Sequence, residues 1–235
     1  MKSARTYLFF DVECANCFGG VGKMCSFGYV ITDSCFNIIE HDDIVMNPQS
    51  EFDWYLLKNG GTSLAYPKDY FLSQPPFPAF EEQIRSIFME KNRKVFAFGA
   101  LNDVGFVVSA FERYRFQVPR FSAFDVEKFC KKDGEIFGSL EKRCEELGID
   151  NSDLIAHKSS DDALMTMRLL QAYARREGIF VDSIVLNEDF CFSVSDFLKK
   201  REAKRRRKEK KEQPALKKKA IKSRRFDSRT ISFDS

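Results

Sequence analysis

The chain has 235 residues, and its hydrophobic fraction of 43% is enough for one sizeable core. Its net charge of +3 is unevenly placed, because residues 199–235 carry roughly +12 and the preceding body carries about −9. Such a body does not bind a polyanion by charge alone, so a nucleic-acid site within it requires metal ions that offset its carboxylates.

The N-terminal part of the chain shows the pattern of β-strands. Apolar runs rich in strand-forming residues cover 7–11, 24–32 and 36–46. The Asp33-Ser34 turn separates the second run from the third, and the three runs together predict an antiparallel meander. Residues 47–78 hold most of the prolines, including Pro75-Pro76, and predict a long irregular connection with short helical turns.

From residue 79 onward, helical periodicity alternates with short apolar strands. Asp125 and Ser139 stand where helix caps are expected, and Gly148 and Gly178 stand where helices end. This order predicts an α/β fold with an RNase H-like mixed sheet of five strands flanked by helices. The predicted helices cover 79–91, 102–114, a segment after 125, 139–147 and 160–176, and the predicted strands cover 94–98 and 121–124.

A change in composition near the C-terminus predicts the domain organisation. The apolar pattern is lost from Phe197 onward, and Lys and Arg dominate the rest of the chain. We therefore expect a folded domain over residues 1–185. Residues 186–235 are expected to form a basic, low-complexity tail that is disordered or helical.

Two carboxylates stand at the end of the first predicted strand. Asp11 and Glu13 are two residues apart, so their side chains leave the same face of a strand. The ordinary interpretation of this pair is that both acids lie at a solvent-exposed strand end. The apolar residues Leu8 to Phe10 that precede the pair favour another one, because carboxylates at the edge of a buried strand are costly unless a cation shares the site.

Three further polar residues are candidates for the same site. Asp103 follows the strand 94–98 near the start of a helix, and His157 and Asp162 are five residues apart across the start of the last long helix. Taken singly, each acid also fits a helix start, with Ser159 or Ser160 as the cap and the acids complementing the helix dipole.

Three motifs together make the chain resemble the DEDDh exonuclease superfamily. The run Phe10 to Asn16 resembles the first motif of this family, which contains Asp-x-Glu at the end of the first strand. Asn102-Asp103 resembles the second motif, and His157 to Ala163 has the spacing of the third. The resemblance covers about residues 5–177. It departs from the family at Phe98 to Leu101, where His-Asn or Trp-Gly often precedes the second acid.

The resemblance implies a two-metal hydrolysis of phosphodiesters that proceeds from the 3′ end and releases nucleoside 5′-monophosphates. The ions would be Mg²⁺ or Mn²⁺, which prefer oxygen ligands, and His157 would be the general base. Of the two adjacent acids, Asp162 has the spacing of the metal ligand, and we interpret Asp161 as a helix-start charge. The implied metal ligands are Asp11, Glu13, Asp103 and Asp162.

The segment after the first motif is expected to contact the terminal nucleotide. By resemblance, Cys14, Ala15 and Asn16 would bind substrate, and Ala15 and Asn16 would do so through their backbone. Phe18 and Phe106 are candidates for stacking on bases. A place in the core is the stronger interpretation for both, since the chain has 25 phenylalanines.

Several alternatives stay open at the level of sequence. The chain is expected to bind single-stranded DNA or RNA 3′ ends, and nothing in the sequence decides between them. A catalytically weak adaptor that binds nucleic acid through its basic tail is the second hypothesis, and the tail is also a candidate site for a protein partner. Seven cysteines without paired spacing, the lack of a leader and the lack of a long apolar run predict a cytoplasmic protein with no membrane role.

Overall fold

The computed structural model describes residues 5–58, 61–130, 138–184 and 187–207. Its contacts divide the chain into two units, Met1–Val194 and Ser195–Ser235. The predicted domain boundary between residues 185 and 186 falls outside the described residues, as do the basic runs from residue 208 onward.

Three long antiparallel strands begin the first unit. They are β1 (Thr6–Cys14), β2 (Met24–Asp33) and β3 (Ile38–Val45). Leu8 to Phe10 and nearly all of β2 are buried, as expected for central strands rich in aromatic and β-branched residues. β3 lies at the edge of the sheet, and its first residues are exposed. The predicted meander is therefore confirmed.

The connection between β3 and the next long strand contains short elements, as expected. β4 (Leu57–Lys58) and β5 (Gly61–Thr62) form a small ladder, and α1 (Lys68–Ser73) and α2 (Glu81–Met89) follow it. A 3₁₀ turn over Trp54–Leu56 precedes the ladder.

Parallel strands and helices complete the sheet. In chain order the elements are β6 (Arg93–Ala97), α3 (Ala100–Arg113), β7 (Ser122–Asp125), α4 (Val126–Phe129), α5 (Leu140–Glu146), α6 (Ser159–Glu177), α7 (Val181–Ile184) and β8 (Cys191–Ser193). The strand order is β3-β2-β1-β6-β7-β8, in which β1, β6 and β7 are parallel and the others antiparallel. This confirms the predicted RNase H-like mixed sheet. The sixth strand, β8, was not predicted because three residues are too few to show a period of two.

The predicted helix ends are also found. Asp125 and Ser139 accept hydrogen bonds from backbone N–H groups at the starts of α4 and α5. Gly178 ends α6 in the left-handed conformation. The prediction that Ser159 or Ser160 caps α6 is wrong. The N-cap residue is Lys158, and its side chain makes no capping hydrogen bond.

Aromatic side chains build a core on each face of the sheet. Phe9 stacks on Phe96 on the face that α6 covers, with 4.8 Å between ring centroids. Phe10, one residue later, contacts Phe27 and Phe88 of α2 on the opposite face. Each fully buried phenylalanine contributes about 1.5–3 kcal/mol. The two core faces hold β1 rigidly up to the point where Asp11 begins the polar part of the strand.

The start of α6 lies directly on β2. A Cβ atom added at Gly28 would stand 1.9 Å from both Ser159 C and Ser160 N, so only glycine permits this approach. Beside it, the Ser159 hydroxyl lies 2.8 Å from the Ser26 hydroxyl in a buried hydrogen bond. These contacts fix the height and position of the first turn of α6 above the sheet.

The second unit is described up to residue 207, and residues 195–207 are helical. Glu202 makes ion pairs with Arg205 and Arg206 along this helix. Of the two predicted states of the tail, disordered or helical, residues 195–207 therefore adopt the helical one. Within the ranges that the structure describes, no helix is both long and apolar enough to cross a membrane.

Replacing Gly28 by Ala tests the contact between α6 and β2. The new methyl group would overlap backbone atoms, which cannot rotate away, so we expect the free energy of unfolding to fall by about 3 kcal/mol. Chemical denaturation monitored by circular dichroism measures it. The matched control is Gly138→Ala, because the added atom would meet Arg143 at an ordinary 3.6 Å. Equal stability of the two variants would contradict the close contact.

Candidate functional site

Asp11 and Glu13 lie on one face of β1 at its carboxyl end. Across the sheet, Asp11 is opposite Gly28 and Glu13 is opposite Ser26. Both carboxylates are partly exposed, whereas Leu8 to Phe10 before them are fully buried. The side-chain period of a strand therefore places both carboxylates beside the start of α6, as predicted.

Asp103 reaches the same place from the first turn of α3. Gly99 takes a positive φ of 70° and turns the chain from β6 into this helix. The Asp103 side chain is 5% exposed and accepts a hydrogen bond from the backbone N–H of Val12, the residue between the first two acids. α3 thus delivers a buried third carboxylate to the end of β1.

His157 and Asp162 complete the group from the other side. His157 Nδ1 lies 3.5 Å from Glu13 Oε1, and the imidazole is 59% exposed. Potential ligand atoms of Glu13, His157 and Asp162 all lie within 4.8 Å of one another. Asp11 interacts electrostatically with Asp103, Glu13 and Asp162. The structure therefore brings all five predicted residues together, although they come from three separate parts of the chain.

Burial and mutual repulsion raise the pKa of each carboxyl group in this cluster. The pKa values of Asp11 and Asp103 are well above their usual range, because both groups are desolvated and lie beside other acids. Burial, followed by the nearby charge of Asp43, raises the pKa of Glu13 to about 7. Burial and Glu13 raise the pKa of Asp162 to about 7, although His157 opposes this rise.

This cluster fits a hard divalent cation. Its donors are carboxylate oxygens, which suit Mg²⁺, Mn²⁺ or Ca²⁺. A bound cation would also remove the electrostatic cost that the raised pKa values record. The donor chemistry therefore fits a metal ion at this cluster, where the ligand atoms of Glu13, His157 and Asp162 lie closest together.

A fifth carboxylate, Asp43, was missed by the sequence reasoning. It lies opposite Gly28 on β3, so Asp11, Gly28 and Asp43 form one row across three strands. The hydroxyls of Ser26 and Tyr66 donate hydrogen bonds to it, the latter over 3.2 Å, and burial raises its pKa. The alternation of β3 places Asp43 on one face of the strand, but only the strand register shows that this residue lies in the same row as Asp11.

The predicted substrate segment lies beside the cluster. Ala15 is fully buried, and its N–H donates to the Lys23 carbonyl over 2.8 Å. Asn16 is also buried, and its amide donates to Ser50 Oγ over 3.0 Å. The Ala15 carbonyl accepts from the Asp53 N–H and the Asn16 carbonyl accepts from the Lys23 N–H, each over 2.8 Å, so the observed contacts of both residues lie within the fold.

Cys14, the third residue of this segment, contacts another thiol. It shares a hydrogen bond with Cys17, which lowers the pKa of the exposed Cys17 to about 7. The same bond and burial raise the pKa of Cys14. The Cys14 side chain is thus occupied within the protein, and Cys17 is the exposed thiol at this edge.

Exposed aromatic side chains surround this segment. Phe18 is 53% exposed and Trp54 is 82% exposed, with Tyr55 beside it. The N–H of Asp53 donates to the Ala15 carbonyl over 2.8 Å, which ties the Trp54 turn to the substrate segment. Phe106 is only partly exposed, and its ring lies directly under Gly22. Trp54 and Tyr55 were missed because they belong to an irregular connection.

Solved structures share this architecture. E. coli exonuclease I in complex with a dA16 oligonucleotide has a TM-score of 0.60 at 18% identity, over 77% of this chain and 43% of that one. The zinc-bound form of the complex of that enzyme with single-stranded DNA has a TM-score of 0.61 at 17% identity. The chain has the fold of these exonuclease I structures. It spans 43% of the length of the exonuclease I chain.

The same fold is found in a separate nuclease domain. The nuclease domain of 3′hExo, a DEDDh family member bound to rAMP, has a TM-score of 0.59 at 16% identity, and the match covers 76% of this chain and 96% of that domain. No protein-family model and no curated protein matches the sequence. The predicted resemblance is confirmed at the level of the fold.

The raised pKa of Glu13 predicts a pH-dependent stability of the metal-free protein. Between the unfolded pKa of about 4.3 and the folded pKa of about 7, the folded state keeps a proton that the unfolded state releases. The free energy of unfolding therefore falls as pH rises through this window. In EDTA at pH 8, Glu13→Gln should melt roughly 2–8 °C above the unsubstituted chain, and the two should melt alike at pH 4.

Differential scanning calorimetry at both pH values measures this effect. The matched control is Glu82→Gln, because Glu82 is an exposed acid on α2. If Glu13→Gln and Glu82→Gln melted alike at pH 8, the electrostatic cost assigned to Glu13 would be wrong.

Proposed function

We propose that the chain is a metal-dependent 3′→5′ exonuclease that removes nucleoside 5′-monophosphates from the 3′ ends of single-stranded DNA or RNA. The observation that carries the proposal is the convergence of Glu13, His157 and Asp162 within 4.8 Å, next to Asp11 and the buried Asp103. The fold supports the same assignment, since E. coli exonuclease I and 3′hExo share it.

Asp11, Glu13, Asp103 and Asp162 would hold two Mg²⁺ or Mn²⁺ ions. When bound, a pair of such ions supplies positive charge that acidifies a water and stabilises the leaving oxygen of a phosphodiester. Buried carboxylates with raised pKa values support this role, because they are costly as ions unless cations share the site.

His157 is the proposed general base. Its Nδ1 faces Glu13, which orients the ring, and its exposure leaves the imidazole accessible to a water. The imidazole accepts a proton as the water oxygen forms its bond to phosphorus. The bond from phosphorus to the 3′ oxygen of the preceding nucleotide breaks, this oxygen takes up a proton, and the nucleoside 5′-monophosphate leaves.

Single-stranded substrates fit the surface around the cluster. The exposed rings of Phe18, Trp54 and Tyr55 offer faces on which unpaired bases stack, a contact worth about 1–3 kcal/mol per base. The segment that contains Cys14, Ala15 and Asn16 is proposed to lie against the terminal nucleotide. The structural neighbours carry a DNA oligonucleotide in one case and rAMP in another, so the proposal includes both DNA and RNA.

End-labelled oligonucleotides test the proposed activity. With Mg²⁺, a 3′-labelled single strand should release labelled mononucleotide at once, whereas a 5′-labelled strand should shorten stepwise. DNA and RNA of one sequence are compared in parallel. Asp103→Asn should lower the rate by at least about 10³-fold, because it removes a negative charge from the site proposed to hold the two metal ions. Glu82→Gln is the exposed acidic control.

Internal cleavage, or release of mononucleotide from the 5′ end, would contradict the proposed exonuclease. Binding without turnover would instead favour a second candidate, an adaptor that binds nucleic acid through its basic tail. The uneven charge of the chain favours this candidate, because residues 199–235 carry roughly +12.

The seven free cysteines support a reducing compartment, and we propose a cytoplasmic location.

Deleting residues 199–235 tests the role of the tail. We propose that this polycation attracts long substrates and releases their counterions, since the body is acidic. The deletion should weaken binding of long single strands and flatten its salt dependence, by a slope of about 0.7 per lost phosphate contact. Dinucleotide cleavage should stay nearly unchanged. An unaltered salt slope would assign the tail to a protein partner, to solubility or to localisation.

A further inference from the structure

The turn that carries His157 has an unfavourable backbone conformation. His157 has a φ of +58°, which is unusual for a residue with a side chain. A residue in this region keeps its conformation only where neighbouring groups determine it. The groups that hold this turn therefore decide where the imidazole points.

Asp161 supplies contacts on both sides of His157. Its Oδ2 accepts a hydrogen bond from the backbone N–H of Ile155 over 2.9 Å. Its Oδ1 accepts from Lys158 Nζ over 3.1 Å and from Ser160 Oγ over 3.2 Å. One carboxylate thus joins the residue two positions before His157 to the residue directly after it.

The Asp161 carboxylate is buried and firmly placed. The residue is 4% exposed, and its N–H donates to the Lys158 carbonyl over 2.8 Å in the first turn of α6. His41 Nε2 lies 3.9 Å from Asp161 Oδ1 and 3.1 Å from the Ser160 carbonyl oxygen. Because α6 rests on Gly28, Asp161 connects the turn to the sheet that carries Glu13.

A second contact holds the turn from outside α6. The N–H of Ala65 donates to the carbonyl of His157 over 3.2 Å. This bond fixes the His157 backbone, whereas the contacts of Asp161 fix the residues that flank it. The loop and the helix together leave the imidazole facing Glu13.

We propose that Asp161 is a positioning residue for His157, holding Ile155 and Lys158 so that the imidazole stays beside Glu13. The inference rests on the proposed function, in which His157 is the general base. It goes beyond the interpretation of Asp161 as a helix-start charge, since its carboxylate is bonded back to the preceding turn.

Asp161→Asn is the informative substitution. Asparagine has nearly the same size, but its amide group replaces one of the two oxygens. Ile155 N–H and Lys158 Nζ donate to different oxygens of Asp161, so in asparagine one of these donors faces the NH₂ group, which only donates. The matched control is Asp153→Asn, an exposed acid of the same segment that forms an ion pair with Arg168 at 2.8 Å.

A double-mutant cycle with His157→Ala separates positioning from general damage. His157→Ala should lower kcat by roughly 10²–10⁴-fold. Asp161→Asn should lower kcat about tenfold or more and change KM less than about twofold, and Asp153→Asn should change neither. In the His157→Ala background, Asp161→Asn should cost less than about twofold, because its effect passes through the missing imidazole. Additive losses would overturn the proposal.

Amide hydrogen exchange is the second readout and needs no activity. Exchange at Ile155 and its neighbours should be faster in Asp161→Asn than in Asp153→Asn. Unchanged exchange, or faster exchange with an unchanged kcat, would overturn the proposal. If His157→Ala itself had no effect on cleavage, the assignment of His157 as the general base would be wrong and the inference would fail with it, although the exonuclease activity would stand. Should Asp161→Asn fail to fold, Lys158→Met removes one of its partners more mildly and is held to the same criteria.

Discussion

The close contact between Gly28 and the first turn of α6 is the constraint on which the site depends. Backbone packs there against backbone, at a distance that no side chain on β2 would allow. The contact sets the height of α6 above β1, and with it the positions of Asp162 and of the turn before the helix. Since backbone atoms cannot adjust like flexible side chains, the carboxylates at the edge of the sheet acquire a defined spacing.

The electrostatics of the site work against the stability of the fold. Asp11 and the buried Asp103 lie close to other acids, and Asp43 adds a further carboxylate from β3. The aromatic core on both faces of the sheet offsets this cost, because it holds β1 in place whether or not its acids are ionised. A rigid scaffold that tolerates concentrated like charge is what a cation site requires.

Local patterns were sufficient to predict much of the fold and the five proposed catalytic positions. The strand period placed Asp11 and Glu13 on one face, and motif spacing selected Asp162 over Asp161. Asp43 and Trp54 could not be predicted, because their proximity to the site depends on strand register and on an irregular connection. The bonds of Asp161 to the preceding turn were hidden for a similar reason, since a helix-start acid looks the same in sequence whichever way its carboxylate turns.

The site is assembled from residues that are far apart in the chain. Asp11 belongs to the first strand and Asp162 to the last long helix, so their approach requires β1, β2 and α6 to be in place together. Contacts of such long sequence separation form late in folding, after the entropy of closing the intervening chain has been overcome. A nascent or partly unfolded chain therefore lacks the complete cluster, and the proposed activity would arise together with the finished fold.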